Sequence, residues 1–322
     1  MDNNYSYLYK LSLFVSVVFI LFSLVFPGIL ASSEVLIAIP LMLLVGIPHG
    51  ATDHLIFLQL RKSFLGGKHL EQFYLNYLLL MAVYSVIWWL LPILALAIFL
   101  ILSVYHFGQS NWHYINFENK IQAWATYLNW GSFALFVPIF WHFETAIPIL
   151  SSITRSEVVM LNPTWRQALC LIFLLTNVWM TCMLAVNRLI DRRQLLRELF
   201  NLLILSCLFV FTPLILGFVI YFVFWHSMSS IADQIRFFKD RVAGYSWQTY
   251  VRQALPLSLV AVIGLGLLYM LQTSLGIQPN LGLLFIFISV ITLPHMILID
   301  LLYGEWESSE SAEVDHARNQ EH

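Results

Sequence analysis

The sequence predicts an all-α, polytopic integral membrane helix bundle with about ten spanning helices, eight to ten being the range its apolar runs allow. Three observations predict it. The 322 residues are 60% hydrophobic and 11% charged, with mean hydropathy +0.78, whereas a soluble domain is about half apolar and about a quarter charged. The apolar residues gather in runs of roughly 20, the length that crosses a bilayer as a helix. The basic residues sort to one side once those runs are numbered.

The runs are 10–31, 35–61, 70–91, 92–115, 121–143, 165–187, 196–212, 213–236, 254–272 and 281–303. The first follows a polar stretch, Met1–Lys10, with no small-residue cleavage pattern behind a basic leader, so it reads as a first helix and not a signal peptide. Pro92 divides one long apolar stretch and Thr212-Pro213 another, with Thr as N-cap and Pro as the first helical residue. Ten helices and a cytoplasmic N-terminus place 14 of the 16 basic residues on one side, leaving Arg155 and Arg166 on the other. A single span over 198–224 would carry Arg236, Lys239, Arg241 and Arg252 to the outer side, so the ten-helix numbering is preferred. Both termini are expected in the cytoplasm.

Residues 1–304 form one transmembrane domain, and the acidic, polar tail 305–322 is expected to be disordered. Cys170, Cys182 and Cys207 lie in apolar runs and read as packing residues. A net charge of −2 gives no field for nucleic acid.

The second run is interrupted near its middle by GIPHGATDHLIF, residues 46–57, which carries His49, Asp53 and His54. Ionisable groups at that depth are costly and mark a functional site. His106 in SVYHFGQSNWHY, His226 in FVFWHSMSSIADQ and His295 in ITLPHMILID lie near the middles of three further runs. All four runs are even-numbered, so they cross the membrane in the same direction. Four imidazoles at similar depth can converge, and neutral imidazole is a ligand for iron, copper or zinc. Asp53, four residues from His49, shares its face on an α-helix and can ligate the metal or accept a ring N–H of a ligand histidine. His54, about 100° off that face, is the weaker candidate. Ser230 and Asp233 follow His226 at i+4 and i+7. Gly46, Gly50, Gly108 and Gly131 suit close helix contact, and Pro48 and Pro294 precede two of the histidines as sites for a kink. Tyr105, Phe107, Phe224 and Trp225 are candidates to line an apolar tunnel; the other tryptophans suit an interfacial belt. His113 and His142 lie near helix ends and His69 in a basic loop, and all three read as interfacial. The residues alone leave a metal site and a metal-free set of intramembrane hydrogen bonds both open.

PHGATDH, YHFGQS, FWHSMSS and LPHMILID, in that order, resemble the Brp/Blh family of bacterial and archaeal membrane β-carotene 15,15′-dioxygenases. The resemblance runs from about residue 35 to 303. It implies an Fe2+ centre, O2-dependent cleavage of the central double bond of β-carotene to two molecules of retinal, a location in the inner membrane, and a functional link to a retinal-binding rhodopsin. It places His49, His106 and His226 at iron-ligand positions and His295 at a late PH motif with a ligand or site-shaping role. Many members carry a second histidine four residues after that of the WHS motif, where this chain has Ser230; His295, His54 or Asp53 is then the candidate to complete the ligands. Three other readings stand beside it. A desaturase or hydroxylase would carry clustered HxxxH and HxxHH boxes, which are absent. A transporter or proton relay would use His49, Asp53 and His226 without metal. A carotenoid-binding relative would have lost catalysis.

Overall fold

The computed structural model describes residues 3–61, 69–117, 119–276 and 281–320, and every element among them is helical. The basic loop with Lys62 and Lys68, and the side chains beyond Gly304, lie outside the described residues.

Helix α1 (Asn3–Val25) is followed at once by α2 (Pro27–Leu41). The polar Ser32-Ser33-Glu34, which the sequence suggests as a connection, is helical. Pro27 makes the break because it begins a helix without needing an N–H partner. The two serine hydroxyls donate back to the Ile29 carbonyl at 3.0 and 2.6 Å, so the helix absorbs them. The second run continues through a π-turn (Met42–Gly46) and a 3-10 turn (Pro48–Gly50) into α3 (Asp53–Arg61). Then come α4 (His69–Leu90) and α5 (Pro92–Trp112), divided at Pro92 as expected.

Helix α6 (Lys120–Trp141) meets α7 (Phe143–Thr154) at a 102° bend. The short helix is pinned by Glu144, whose carboxylate pairs with Arg166 of α8 (Pro163–Val186). Helix α9 (Arg192–Phe211) opens on a capping box, in which Asp191 accepts from the Gln194 amide and Gln194 from the Asp191 amide.

Thr212 does not cap the following helix, as the sequence suggests; its hydroxyl donates back to the Leu208 carbonyl of α9 at 2.5 Å. Helix α10 (Leu214–Ile220) is capped instead from α2, where the Glu34 carboxylate accepts from the Ile215 amide at 3.3 Å. A π-segment (Tyr221–Ser227) leads into α11 (Met228–Arg241), then α12 (Trp247–Ser274) and α13 (Leu281–Gln320). The polar tail lies on the continuation of α13, which runs through Pro294.

Among the described residues nine helical stretches are long and apolar enough to cross a membrane, or ten if α6 and α7 make one bent span. The protein is thus an all-α, multi-pass membrane bundle.

The tightest packing joins α5 to α6. A Cβ on Gly108 would lie 1.8 Å from the Tyr127 carbonyl oxygen, and one on Gly131 would lie 1.7 Å from that of Val104. Small residues let backbones approach in a membrane, where the gain is packing and not expulsion of water. Gly131→Ala is therefore expected to lower stability by about 1–3 kcal/mol or more by forcing the helices apart. Gly266→Ala on α12, with nothing within 4 Å of its Cβ position, should be neutral or slightly stabilising. Detergent-unfolding midpoints check the pair, and equal midpoints would refute the close-packing argument.

Candidate functional site

Ionisable side chains buried in an apolar bundle must find partners. Four histidines do so with one another. His49, His106, His226 and His295 are 2%, 4%, 3% and 2% exposed. Their rings close a circuit, with centroids 4.7 Å apart from His49 to His295, 5.7 Å from His295 to His106, 4.9 Å from His106 to His226 and 5.6 Å from His226 to His49. His106 comes from the middle of α5 and His295 from α13. His49 lies in the 3-10 turn and His226 in the π-segment. Irregular turns of this kind often re-aim side chains at functional sites.

The ring nitrogens are held unequally. Nδ1 of His49 bonds the Gly46 carbonyl, which requires the proton on Nδ1 and leaves a lone pair on Nε2. Nδ1 of His295 donates to Asp53 Oδ1 at 2.8 Å, and Tyr77 donates to the other carboxylate oxygen at 3.0 Å. Nε2 of His295 and Nδ1 of His106 are buried without a hydrogen-bond partner. The Nε2 atoms of His106 and His226 stand 3.3 Å apart. Two imidazole nitrogens on one metal at about 2.1 Å would stand roughly 3–3.4 Å apart.

Among the described residues no three His, Cys, Asp or Glu side chains form a closed metal-holding group. The donors nevertheless suit one. A bare lone pair on His295, a close nitrogen pair, and two histidines oriented through their far nitrogens are the features of a borderline transition-metal site.

Asp53 does not act as a helix-face neighbour of His49. The chain between the two is not α-helical, so the i+4 argument fails, and Asp53 serves His295 instead. Gly50 permits that approach, since a Cβ there would lie 3.3 Å from Nδ1 of His295. His54 stands apart from the four rings and stacks on Tyr74, with centroids 6.0 Å apart. Ser230 is buried and accepts from Gln234 Nε2 at 3.2 Å. Asp233 lies 3.5 Å from His113 and accepts from Tyr303 at 3.4 Å, away from the four rings.

Of the tunnel candidates, Phe107 meets the site, its centroid 4.9 Å from that of His226. Tyr105 donates to Asp300 at 3.0 Å and packs on Trp124 and Tyr127. Trp225 faces α1, donating to Ser16 at 3.0 Å and packing on Tyr9; beside it the Phe224 carbonyl accepts from Ser12. The aromatic of that motif against the rings is Phe222, 5.4 Å from His49 and 5.5 Å from His226. Its i−4 spacing from His226 was the available signal. Nothing in the sequence marked Tyr77.

Fold and site together define a polytopic membrane protein with an intramembrane cluster of histidines. The family model "Beta-carotene 15,15'-dioxygenase" matches residues 40–303, which hold all four histidines and Asp53, and the chain belongs to that family of carotenoid-cleaving dioxygenases. A protein named "Beta-carotene 15,15'-dioxygenase" from uncultured marine bacterium 66A03 is 27% identical over 272 residues, covering 83% of this chain and 93% of the relative. No solved structure matches the chain.

Asp53→Leu removes the acceptor that orients His295 and should weaken divalent-metal affinity about 10–100-fold. Asp53→Asn keeps an acceptor and should lose less. Cobalt titration of the purified protein reads both; wild-type affinity in Asp53→Leu would detach Asp53 from the site.

Proposed function

We propose that the protein cleaves β-carotene with O2 at the central 15,15′ double bond, giving two molecules of all-trans-retinal, at an Fe2+ held by His49, His106, His226 and His295. The observation that carries the reading is the meeting of four buried imidazoles, drawn from separate stretches of a chain that belongs to this family. The relative's printed name supports the substrate. The bookkeeping of the reaction closes without a reductant: one carbon–carbon double bond breaks, two carbonyls form, and each takes one atom of O2.

Fe2+ would supply the activation of O2 that a spin-forbidden reaction with a polyene needs. The chain's own residues do the rest. The Gly46 carbonyl and Asp53 fix the tautomers of His49 and His295 so that each presents Nε2 inward. Tyr77 keeps Asp53 in place. Phe107 and Phe222 give the rings an apolar wall on which a polyene can pack. His295 takes the ligand place that Ser230 does not fill, because Ser230 is engaged by Gln234. β-Carotene is dissolved in the bilayer, so an intramembrane site meets it without extraction into water. The charge distribution supports an inner-membrane protein with both termini cytoplasmic, and the retinal would supply a retinal-binding rhodopsin.

Expression in a bacterial host that accumulates β-carotene tests the reading. The wild-type chain should bleach the carotene and yield retinal on chromatography of the extracted pigments. His49→Ala, His106→Ala and His226→Ala should each abolish iron binding and retinal formation. Intact carotene beside an iron-loaded, folded protein would redirect the reading to another substrate, and full activity in any one variant would remove that residue from the ligand set.

A further inference from the structure

We infer that Gln234 is the positioning residue for His49: its amide ties the turn that carries this histidine to the helix that follows His226. The metal-affinity part of the inference rests on the function proposed above; the tethering part does not.

The starting point is the backbone around His49. A π-turn and a 3-10 turn in succession disturb the regular i to i+4 ladder, and carbonyls freed inside a membrane bundle need other donors. Gln234 supplies one: its Nε2 donates to the His49 carbonyl at 2.8 Å, while the Pro48 carbonyl accepts from the Ala51 amide at 3.1 Å.

Gln234 itself is 0% exposed. A primary amide has two N–H donors and two acceptor lone pairs, and here all four are used. The second N–H goes to Ser230 Oγ at 3.2 Å, while Oε1 accepts from Thr52 at 2.6 Å and from Tyr250 at 3.0 Å. The His49 carbonyl fixes which way the amide points, since it can only accept. Thr52, Ser230 and Tyr250 are themselves buried at 0%, 1% and 1% exposed.

Three elements are joined by this one group. Gln234 is on α11, eight residues after His226; Thr52 follows the His49 turn; Tyr250 is on α12. A shift of α11 therefore moves the His49 carbonyl as well as His226, and the two imidazoles keep their spacing. A fully satisfied polar group in a low-dielectric core imposes one geometry more firmly than apolar packing does. The same network explains Ser230: it is the acceptor for the fourth bond of this amide, and not a ligand.

Gln234→Glu is nearly isosteric but loses both N–H donors, its carboxyl carrying at most one proton where the amide carries two, so the paired bonds to the His49 carbonyl and Ser230 cannot both be made. Two readouts apply to the full-length protein in detergent. Hydrogen exchange of residues 46–53 should rise in Gln234→Glu, while exchange elsewhere in α11 and in α12 stays at wild-type levels. Cobalt affinity should fall about 10–100-fold, with a changed ligand-field spectrum at saturation. Ile231→Val, on the same helix and in the apolar core, should change neither. Tyr250→Phe and Thr52→Val each remove one bond to the same amide and should move both readouts the same way by less; they decide the matter if Gln234→Glu does not fold. Unchanged exchange at 46–53 overturns the inference, as does a rise spread evenly over the bundle. Failure of wild-type protein to bind cobalt counts against the metal reading alone, and hydrogen exchange then decides the tethering.

Discussion

The bond between Asp53 and His295 is the interaction on which the site depends. It joins the first residue of α3 to the middle of α13, 242 positions apart in the chain. Neither group tolerates the membrane core alone: a carboxylate without donors is strongly disfavoured there, and an imidazole needs at least one partner. Together, with Tyr77 on the second oxygen, they are a satisfied unit. That unit leaves one bare nitrogen, Nε2 of His295, on the side of the other three rings. The buried polar requirement and the chemical one are met by the same contact.

The irregular turns follow from the same constraint. Pro48 rules out a continuous α-helix from Met42 to Arg61, since it has no N–H for the Leu44 carbonyl, and the π-turn, 3-10 turn and π-segment seen here leave groups that other elements must meet. Gln234 meets the one at His49. Helix α5 has no such break in its ladder, whereas α13 carries Pro294, which lacks the N–H that the Val290 carbonyl would take, and its His295 is held by Asp53. Helix α5 is instead fixed by contact with α6 through Gly108 and Gly131, where backbone lies against backbone. His49 and His295 are thus held by polar tethers, and His106 by a helix whose position packing decides.

Much of this was legible in the sequence, and the gaps have physical causes. The bundle followed from the length of the apolar runs, and the four histidines from their depth in them. The i+4 spacing puts Asp53 on the face of His49 only at 3.6 residues per turn, and the backbone across Gly46–Gly50 has another period, so the ring N–H that Asp53 accepts is that of His295. Pro48 was the visible warning. The first two apolar runs leave a gap at 32–34, but the helix break falls at Pro27 instead. Adjacency to His226 suggests Trp225 as a site aromatic, whereas neighbours in a helical sequence point apart and Phe222, one turn back, lies on the rings. Gln234 could not be read at all, since the carbonyl it serves is 185 residues away.

These placements leave the two sides of the ring circuit chemically different. Asp53, Tyr77 and the Gln234 network lie behind His295 and His49, on α3, α4, α11 and α12. Phe107 and Phe222 lie against His226 and His49 from α5 and the π-segment, their own centroids 6.2 Å apart. Gly46 lets Phe222 seat there, because a Cβ at that position would come within 3.1 Å of its ring. Hydrogen bonding orients His49 and His295 through the Gly46 carbonyl, Asp53 and the Gln234 amide, while Phe107 and Phe222 meet the rings as hydrocarbon. A polyene packed on Phe107 and Phe222 would meet apolar surface there, and none of those hydrogen bonds involves either ring.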